Sequence, residues 1–339
     1  MKLELKNKQS GFTIIELMVS LFITLTVIAT FFKLYTNSIK IERTTAIRAS
    51  VPLQGEQIME SISNAIRLIG LASDYYDYSP VSGSGEVILE AKGGVGPTNI
   101  SFQFKSPYGG PVTTLAKAEG GSGACTFTVE STAALHSGLK EVVVISNSAI
   151  HVGQVTSVTG DVIITSGMSP SVDNCSVAFP EGTLITGPNN DFKLSYINSG
   201  STTMLSLAAY EGGVATEDYV NFDSTKGPGY QIPFMVLQFL KEYQKGGNIV
   251  REWFSEFPDP ATELKQVKAV RVGFVLVSEQ ERVRKKVASA DAGITTEHCL
   301  FDSLCYSLND QNKTAYSFRR LIYLRNYDYL AINARINRQ

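Results

Sequence analysis

The chain has 339 residues, 43% hydrophobic and 18% charged, with a formal net charge of −2. This composition supports a sizeable buried core and excludes a chain that is disordered throughout. A net charge so close to zero gives no overall basic surface for nucleic acid, and three His and four Cys argue against a rich metal centre. The 28 Gly, 12 Pro and 15 Tyr indicate many turns and strands rather than a helical bundle.

The N-terminus combines a basic segment with a long apolar run. Residues 1–11 contain three Lys and one Glu, a side-chain charge of +2. They precede residues 12–32, in which Glu16 is the single charged residue. As a helix this run would be roughly 32 Å long, enough to cross the hydrocarbon core of a membrane. The basic flank predicts a single-pass protein with a cytoplasmic N-terminus and a head on the periplasmic side.

Two features of the apolar run argue against an ordinary cleaved signal peptide. The run is longer than the usual hydrophobic region, and no clear small-x-small cleavage site follows it. A plain signal anchor stays an alternative. An acid at the centre of a membrane span costs about 2.5–3.5 kcal/mol, and Glu16 near the cytoplasmic end costs less. Because an apolar residue at this position would carry no such cost, the acid predicts a functional role.

Residues 8–19, KQSGFTIIELMV, resemble the class III signal of type IV prepilins. The resemblance implies that prepilin peptidase cuts after Gly11 and methylates the new amine of Phe12. It makes Glu16 the fifth residue of the mature chain, whose net charge becomes −4, from −2 minus +2. Ile14 stands where Leu is commoner, a change that conserves volume. Glu16 would neutralise the terminal amine of a neighbouring subunit, an interaction that sets register more than stability.

Residues 33–70 predict the amphipathic half of the same helix. Ile58, Ile62, Ile66 and Ile69 recur at helical spacing and predict a face that packs on the head. Pro52 and Gly55 interrupt the pattern and should kink or locally melt the helix, and Gly70 is a plausible C-terminal cap. A continuous helix over 12–70 would be roughly 90 Å long.

The remainder, residues 71–339, predicts an antiparallel β-rich head. Short apolar or alternating runs predict strands at 141–145, 161–164, 192–196 and 234–239, with turns at 187–190 and 226–229. Residues 72–110 and 119–123 predict loops with short strands. The fold class is therefore α+β, a long kinked N-terminal helix packed on a large head. The predicted parts are a leader, a membrane or filament-core helix, an amphipathic half-helix and the head, at 1–11, 12–32, 33–70 and 71–339.

The C-terminal part resembles PilW-like minor pilins. A strong predicted strand at 267–277 contains VR-x-x-x-V. The last predicted strand, at 316–325, ends in an LRN motif at 324–326. The RLIG at 67–70 is similar to the end of that family's long helix. The resemblance implies a minor pilin that primes assembly at the filament tip. The J-type minor pseudopilin of type II secretion stays the nearest alternative.

The four cysteines all lie beyond the apolar run, where disulfides are permitted if that side is periplasmic. Three pairings are conceivable, and proximity in the chain favours Cys299 with Cys305 and Cys125 with Cys175. His298 beside Cys299 is a fragment of a metal site without a suitable fourth ligand, so no metal is predicted.

The sequence contains no motif that predicts catalysis or a cofactor. A nucleophile elbow, a His-Glu-x-x-His pair, a phosphate-binding loop and a calcium loop are all missing, so the protein is not expected to be an enzyme. Residues 313–339 are basic and could touch DNA or lipid, but a solvated strand and tail is the preferred interpretation. The expected partners are prepilin peptidase, other minor pilins, the major pilin, the inner membrane before assembly and a tip adhesin, and nucleic acid is not an expected partner. A membrane-anchored enzyme or ligand-binding protein is the remaining alternative.

Overall fold

The computed structural model describes residues 13–69, 71, 88–107, 111–135, 138–146, 150–211, 214–226, 229–256, 267–278, 296–302, 304–308 and 313–324. The predicted cleavage residues Gly11 and Phe12 and the predicted cap Gly70 lie outside these ranges. The architecture is α+β, as predicted: one long apolar helix is followed by a large head of antiparallel strands.

The N-terminal helix, Ile14–Arg67, is 54 residues long. Its first part, Ile14–Ile39, has a mean hydropathy of 2.3 and none of it is buried within the protein. Burial of the helix begins at Val51, which belongs to the main core. The helix therefore has two halves with different surroundings, an apolar half that touches no other described element and a half that lies on the head.

The second half of the helix packs through the predicted isoleucine face. Ile58, Ile62, Ile66 and Ile69 are all buried in the core, so this prediction is confirmed. Of the two outcomes predicted at Pro52 and Gly55, local melting is wrong, because the helix continues through both positions, and a kink stays a prediction. Gly55 serves close packing instead, since a Cβ there would lie 2.1 Å from the Phe318 ring.

The strands of the head follow one another along the chain and pair antiparallel throughout the described residues. They are β1 Ile88–Lys92, β2 Gly94–Gly96, β3 Ile100–Pro107, β4 Val112–Thr113, β5 Glu119–Gly121, β6 Ala124–Thr128, β7 Glu141–Ile145, β8 Ile150–Thr159, β9 Val162–Ser169, β10 Leu184–Thr186, β11 Asn189–Asn198, β12 Thr203–Glu211, β13 Val214–Asp223, β14 Tyr230–Lys245, β15 Asn248–Phe254, β16 Val267–Ser278, β17 Thr296–Phe301, β18 Leu304–Leu308 and β19 Ala315–Tyr323. Short helical turns lie at Thr132–Ala134 and Cys175–Ala178.

Two sheets enclose the helix and share its core. The first sheet has the order β1-β3-β11-β12-β13, and the last sheet has the order β15-β14-β16-β19, with β2 added to β14. Buried side chains of both sheets join those of the helix in one hydrophobic cluster. A hydroxyl–hydroxyl contact of 2.8 Å between Ser50 and Tyr230 and a 3.0 Å bond from the Ser106 hydroxyl to the Ala65 carbonyl fix the helix on the two sheets.

A third sheet, with the order β4-β10-β7-β8-β9-β6-β5, lies between β3 and β11 in the chain. We call residues 108–188 the insert. The insert has its own hydrophobic cluster, which includes the Cys125–Cys175 disulfide. Since Pro107 at the end of β3 pairs directly with Asn189 at the start of β11, the chain leaves and re-enters the first sheet at one place.

The last sheet is covered on both faces, which explains the nearly continuous apolar run of β16. Val270, Val272, Phe274 and Leu276 face the helix-side core, as predicted. The alternate side chains pack under the β17–β18 hairpin, where Val275 meets Leu300 in a smaller cluster. Strands buried on both faces have no polar alternation in their sequence.

Most predicted strands lie where the sequence placed them. Strands at 141–145, 192–196, 234–239 and 267–277 are confirmed, and 161–164 corresponds to the start of β9. The turn predicted at 187–190 is partly wrong, because Asn189 and Asn190 already pair in β11. Residues 119–121 form the short strand β5, in agreement with the prediction of loops with short strands, and Ser122 and Gly123 turn the chain back at positive φ.

Candidate functional site

The start of the N-terminal helix is closed by a capping box between Thr13 and Glu16. The Thr13 side chain accepts a 3.3 Å hydrogen bond from the Glu16 backbone N–H. In return, Oε2 of Glu16 accepts 3.0 Å and 3.1 Å bonds from the backbone N–H and the hydroxyl of Thr13. Reciprocal capping satisfies N–H groups that a helix end otherwise leaves open.

The capping box fixes where the Glu16 carboxylate points. Both of its bonds fall on Oε2, and the side chain is exposed at the end of the helix. An ionised carboxylate has two oxygens and accepts several bonds, so Oε1 is left to meet a cation from another molecule. The carboxylate is thus held at the helix N-terminus, where the helix dipole favours negative charge.

The helix that follows presents an apolar surface on all sides. Ile14 is 81% exposed and Phe31 is 72% exposed, and large apolar side chains between them are exposed as well. A helix that is apolar all round needs a surrounding that is not water, such as lipid or other helices. By length and hydropathy Ile14–Ile39 qualifies as a membrane span, and it is the one such helix in the described part of the chain.

The predicted site residues do not form one constellation. Glu16 lies at the start of the helix, outside the head, and Gly11 and Phe12 lie beyond the described residues. The cysteines form two disulfides in the head, in the pairing that the sequence favoured. Cys125 joins Cys175 inside the insert with a Cα–Cα distance of 5.7 Å, and Cys299 joins Cys305 across the β17–β18 hairpin.

One group of side chains has the spacing of metal ligands. Glu297, Cys299 and Cys305 have their ligand atoms within 4.8 Å of one another. The two sulfurs are bonded to each other, so neither is the thiolate that a metal requires. This group is a disulfide beside an acid, and it offers no metal site in that state.

Sequence reasoning missed two features of interest. Thr13 and Glu16 match the T-x-x-E signature of a capping box, which predicts the observed geometry without the structure. Arg271 was also missed: its guanidinium lies 4.5 Å from the Trp253 ring centre and 5.3 Å from that of Phe301. Burial lowers the pKa of Arg271, yet the cation stays within reach of the Asp302 carboxylate at 4.0 Å. No local pattern predicts that stacking, because its partners lie on different strands.

Comparison with known proteins supports the N-terminal assignment. Residues 6–32 match the family described as the prokaryotic N-terminal methylation motif. The chain carries a prepilin-type N-terminus. Among solved structures, a type IV-like pilin from Thermus thermophilus is similar over 57% of this chain and 87% of its own, with 11% identity and a TM-score of 0.23. A comparison with curated proteins finds no match for the chain.

The prepilin-type motif is followed by an exposed apolar helix, so the N-terminus of the chain is of the type IV pilin kind. The motif implies processing by prepilin peptidase and assembly with other pilins, and the helix implies anchoring in a membrane. These N-terminal features indicate a structural protein.

Proposed function

We propose that the protein is a PilW-like minor pilin of a type IV pilus. Prepilin peptidase cuts between Gly11 and Phe12 and methylates the amine of Phe12. The observation that carries the proposal is the methylation motif at residues 6–32, which includes the first part of Ile14–Ile39, an apolar helix with no burial inside its own molecule. Such a helix suits a subunit that waits in the inner membrane and then packs among other helices.

Glu16 is the assembly residue in this proposal. Its carboxylate, held by Thr13 at the helix start, accepts the positive terminal amine of a neighbouring subunit. In a nearly dry filament core an unpaired carboxylate costs about 3–5 kcal/mol, so subunits settle where the pair forms. The pair sets the position of one subunit relative to the next.

The head supports a place at the filament tip. It contains two sheets on the helix and, in addition, the insert with a separate core. A bulky head is easier to accommodate at an end than in a tight helical lattice. Before assembly the N-terminus is cytoplasmic and the head periplasmic; afterwards the protein primes the pilus at the cell surface, with other minor pilins, the major pilin and a tip adhesin as partners.

Deleting the gene in the native host and labelling the head on intact cells tests this function. A priming tip subunit predicts few pili, each of normal structure, and label at filament ends. Pili of normal number in the deletion strain, together with a loss of protein secretion, would contradict the pilus role and favour the J-type pseudopilin.

A further inference from the structure

Two long strands of the head lie at the ends of their sheets among the described strands. β13 is the last strand of the first sheet and β19 is the last strand of the last sheet, and neither pairs outward with any described strand. The N-terminal helix lies between them. Gln54, Gln57 and Ser61 line a groove against β13, while Gly55 packs on Phe318 of β19. The two open edges therefore flank the helix on opposite sides.

The two edges carry opposite charges. The β13 sequence VATEDYVNFD has three acids and no base, and the β19 sequence AYSFRRLIY has two bases and no acid. Glu217 and Asp218 lie near the middle of β13, with Asp218 exposed, whereas Asp223 ends the strand and lies 3.5 Å from Lys226. Arg319 and Arg320 lie near the middle of β19, where the exposed Arg319 donates a 2.8 Å bond to the Leu300 carbonyl. Arg320 on β19 lies 3.7 Å from Glu56 of the helix, and Asp218 accepts a 3.1 Å bond from Asn221.

The directions of the edges follow from contacts near the membrane end of the head. Tyr230, the first residue of β14, contacts Ser50 of the helix. Farther along β14, Met235 pairs with Phe274 of β16, and Phe274 pairs with Phe318 of β19. Phe318 in turn packs on Gly55, so Met235 and Gly55 lie at the same height along the helix. β14 therefore runs with the helix, away from the membrane. Since β16 is antiparallel to β14, and β19 to β16, β19 also runs away from the membrane.

β13 runs the other way. The Thr203 hydroxyl at the start of β12 accepts a 3.0 Å bond from the Ile232 N–H near the start of β14, so β12 begins at the membrane end. β13 is antiparallel to β12 and returns toward the membrane. If two molecules stand side by side with parallel helices, β13 of one meets β19 of the other in antiparallel orientation.

We propose that β13 of one subunit pairs with β19 of a second copy of this chain and joins the two heads through a continuous sheet. Exposed edges add strands through main-chain hydrogen bonds, and the side chains supply the specificity. Acid opposite base favours this partner and disfavours β13 with β13 or β19 with β19. The contact is heterologous, so it joins neighbouring copies side by side without closing as a two-fold dimer.

The exposed apolar side chains of β19 agree with this arrangement. Leu321 is 46% exposed and Tyr323 is 56% exposed on a strand that otherwise buries its apolar residues. The competing role for charges on an edge is protection against pairing, and the two irregularities in the β12–β13 register fit that role too. The two roles predict different results when the charges of both edges are reversed. If the charges promote pairing, reversing one charge weakens the contact and the reciprocal reversal on the other copy restores it. If the charges only protect the edges, the reciprocal reversal restores no contact.

Crosslinking of full-length protein in the native host tests the pairing. With Asp218 opposite Arg320, Asn221 of one copy lies opposite Ser317 of the other. Two differently tagged copies carry Asn221→Cys and Ser317→Cys, and a short bismaleimide joins only introduced thiols because the native cysteines are paired. The expected product is a crosslink that contains both tags. The control combines Lys245→Cys, at an exposed hairpin tip, with Ser317→Cys, and should give none.

Charge reversal supplies the second measurement. Asp218→Lys in the first copy should lower the crosslink about tenfold, and Arg320→Glu in the second copy should restore it. No crosslink in cells with normal pili, a crosslink only to another protein, or no recovery in the reciprocal pair would each overturn the inference. The parallel arrangement rests on the proposed function, but cells with normal pili and no crosslink refute this pairing alone, whereas an uncleaved N-terminus refutes the function.

Discussion

At the scale of single residues, Glu16 has two separable properties. Its carboxylate oxygen accepts the bonds of the capping box, and its charge is available to another molecule. Glutamine keeps an acceptor oxygen for Thr13 and removes the charge. Alanine removes both. A role in assembly depends on the charge, and a role in helix capping depends on the acceptor.

We expect Glu16→Gln and Glu16→Ala to reduce piliation equally while leaving cleavage after Gly11 and membrane insertion intact. The physical reason is that the partner amine stays unpaired in both variants, at a cost of about 3–5 kcal/mol. Pilus counts by microscopy and co-purification of other minor pilins measure the effect. Thr13→Ala is the matched control, since it weakens the cap by about 0.5–2 kcal/mol and keeps the charge. Normal piliation with Glu16→Gln would contradict a charge-dependent role.

Tyr196 shows the cost of a buried phenol. It is fully buried, donates a 2.7 Å bond to the Ile232 carbonyl and accepts a 3.0 Å bond from Asn198. Burial raises the pKa of Tyr196 from 10.0 to about 12, and the Asn198 bond opposes that change. The folded state therefore holds this proton more tightly than the unfolded chain.

The contribution of Tyr196 to stability is complete below pH 10 and is lost as the pH rises through about 12. Tyr196→Phe should remove this loss and flatten the stability curve in that window. At pH 7 it should lower the free energy of unfolding by about 1–3 kcal/mol, because the buried Ile232 carbonyl and the half-buried Asn198 amide each lose a partner. Chemical denaturation across the pH range measures both effects. Tyr323→Phe, at an exposed position of β19, serves as the control, and an unchanged high-pH slope in Tyr196→Phe would contradict the assignment.

At the scale of elements, the helix and β19 approach each other through Gly55. Gly55→Ala places a Cβ 2.1 Å from the Phe318 ring, which other core side chains enclose. We expect the free energy of unfolding to fall by about 1–3 kcal/mol from overpacking, although Ala favours a helix by about 1 kcal/mol over Gly. Thermal unfolding of the full chain in detergent measures the change.

Two further variants make the Gly55 test specific. Phe318→Leu combined with Gly55→Ala should recover part of the loss, since it removes the ring atoms in the way. Asn64→Ala, at an exposed position of the same helix, should be neutral or slightly stabilising. A stabilised Gly55→Ala protein would show that the helix does not need this close approach.

The elements also show what the sequence could predict. Periodicity identified the isoleucine face of the helix and the core face of β16, because each depends on one element and on one side of it. The local melting predicted at Gly55 was wrong, since this glycine packs against Phe318, which is more than 260 residues away in the chain. The Thr13–Glu16 capping box was predictable from the T-x-x-E pattern, whereas the prepilin resemblance implied a role for the charge of Glu16 alone.

At the scale of the whole molecule, the head has two cores, and the sequence predicted one head without that division. The sequences of the strands in the insert do not differ in pattern from those of the other strands. The pairing of Pro107 with Asn189 shows that the insert interrupts a single hairpin of the first sheet. The insert holds the longer disulfide loop, with a sequence separation of 50 from Cys125 to Cys175. Long-range pairing of this kind leaves no local signal.

Replacing residues 108–188 by a two-residue Asn-Gly turn should leave the rest of the head folded. The reason is that β3 and β11 already pair in register over their length and that an Asn-Gly turn suits a hairpin. Among the described residues of the insert, Leu139 is the one apolar side chain that packs against the main core, so the core would lose this contact. A single cooperative thermal transition is the expected result, and an aggregated or protease-sensitive product would contradict the independence of the insert.

The whole account depends on processing at the N-terminus, and mass spectrometry of the N-terminal peptide tests it most directly. Protein from the membrane fraction of the native host should begin with N-methylated Phe12, and a Gly11→Leu variant should keep the leader, because a side chain at the cleavage position blocks the narrow protease site. A wild-type protein that still begins at Met1 in cells with active prepilin peptidase would contradict the pilin assignment.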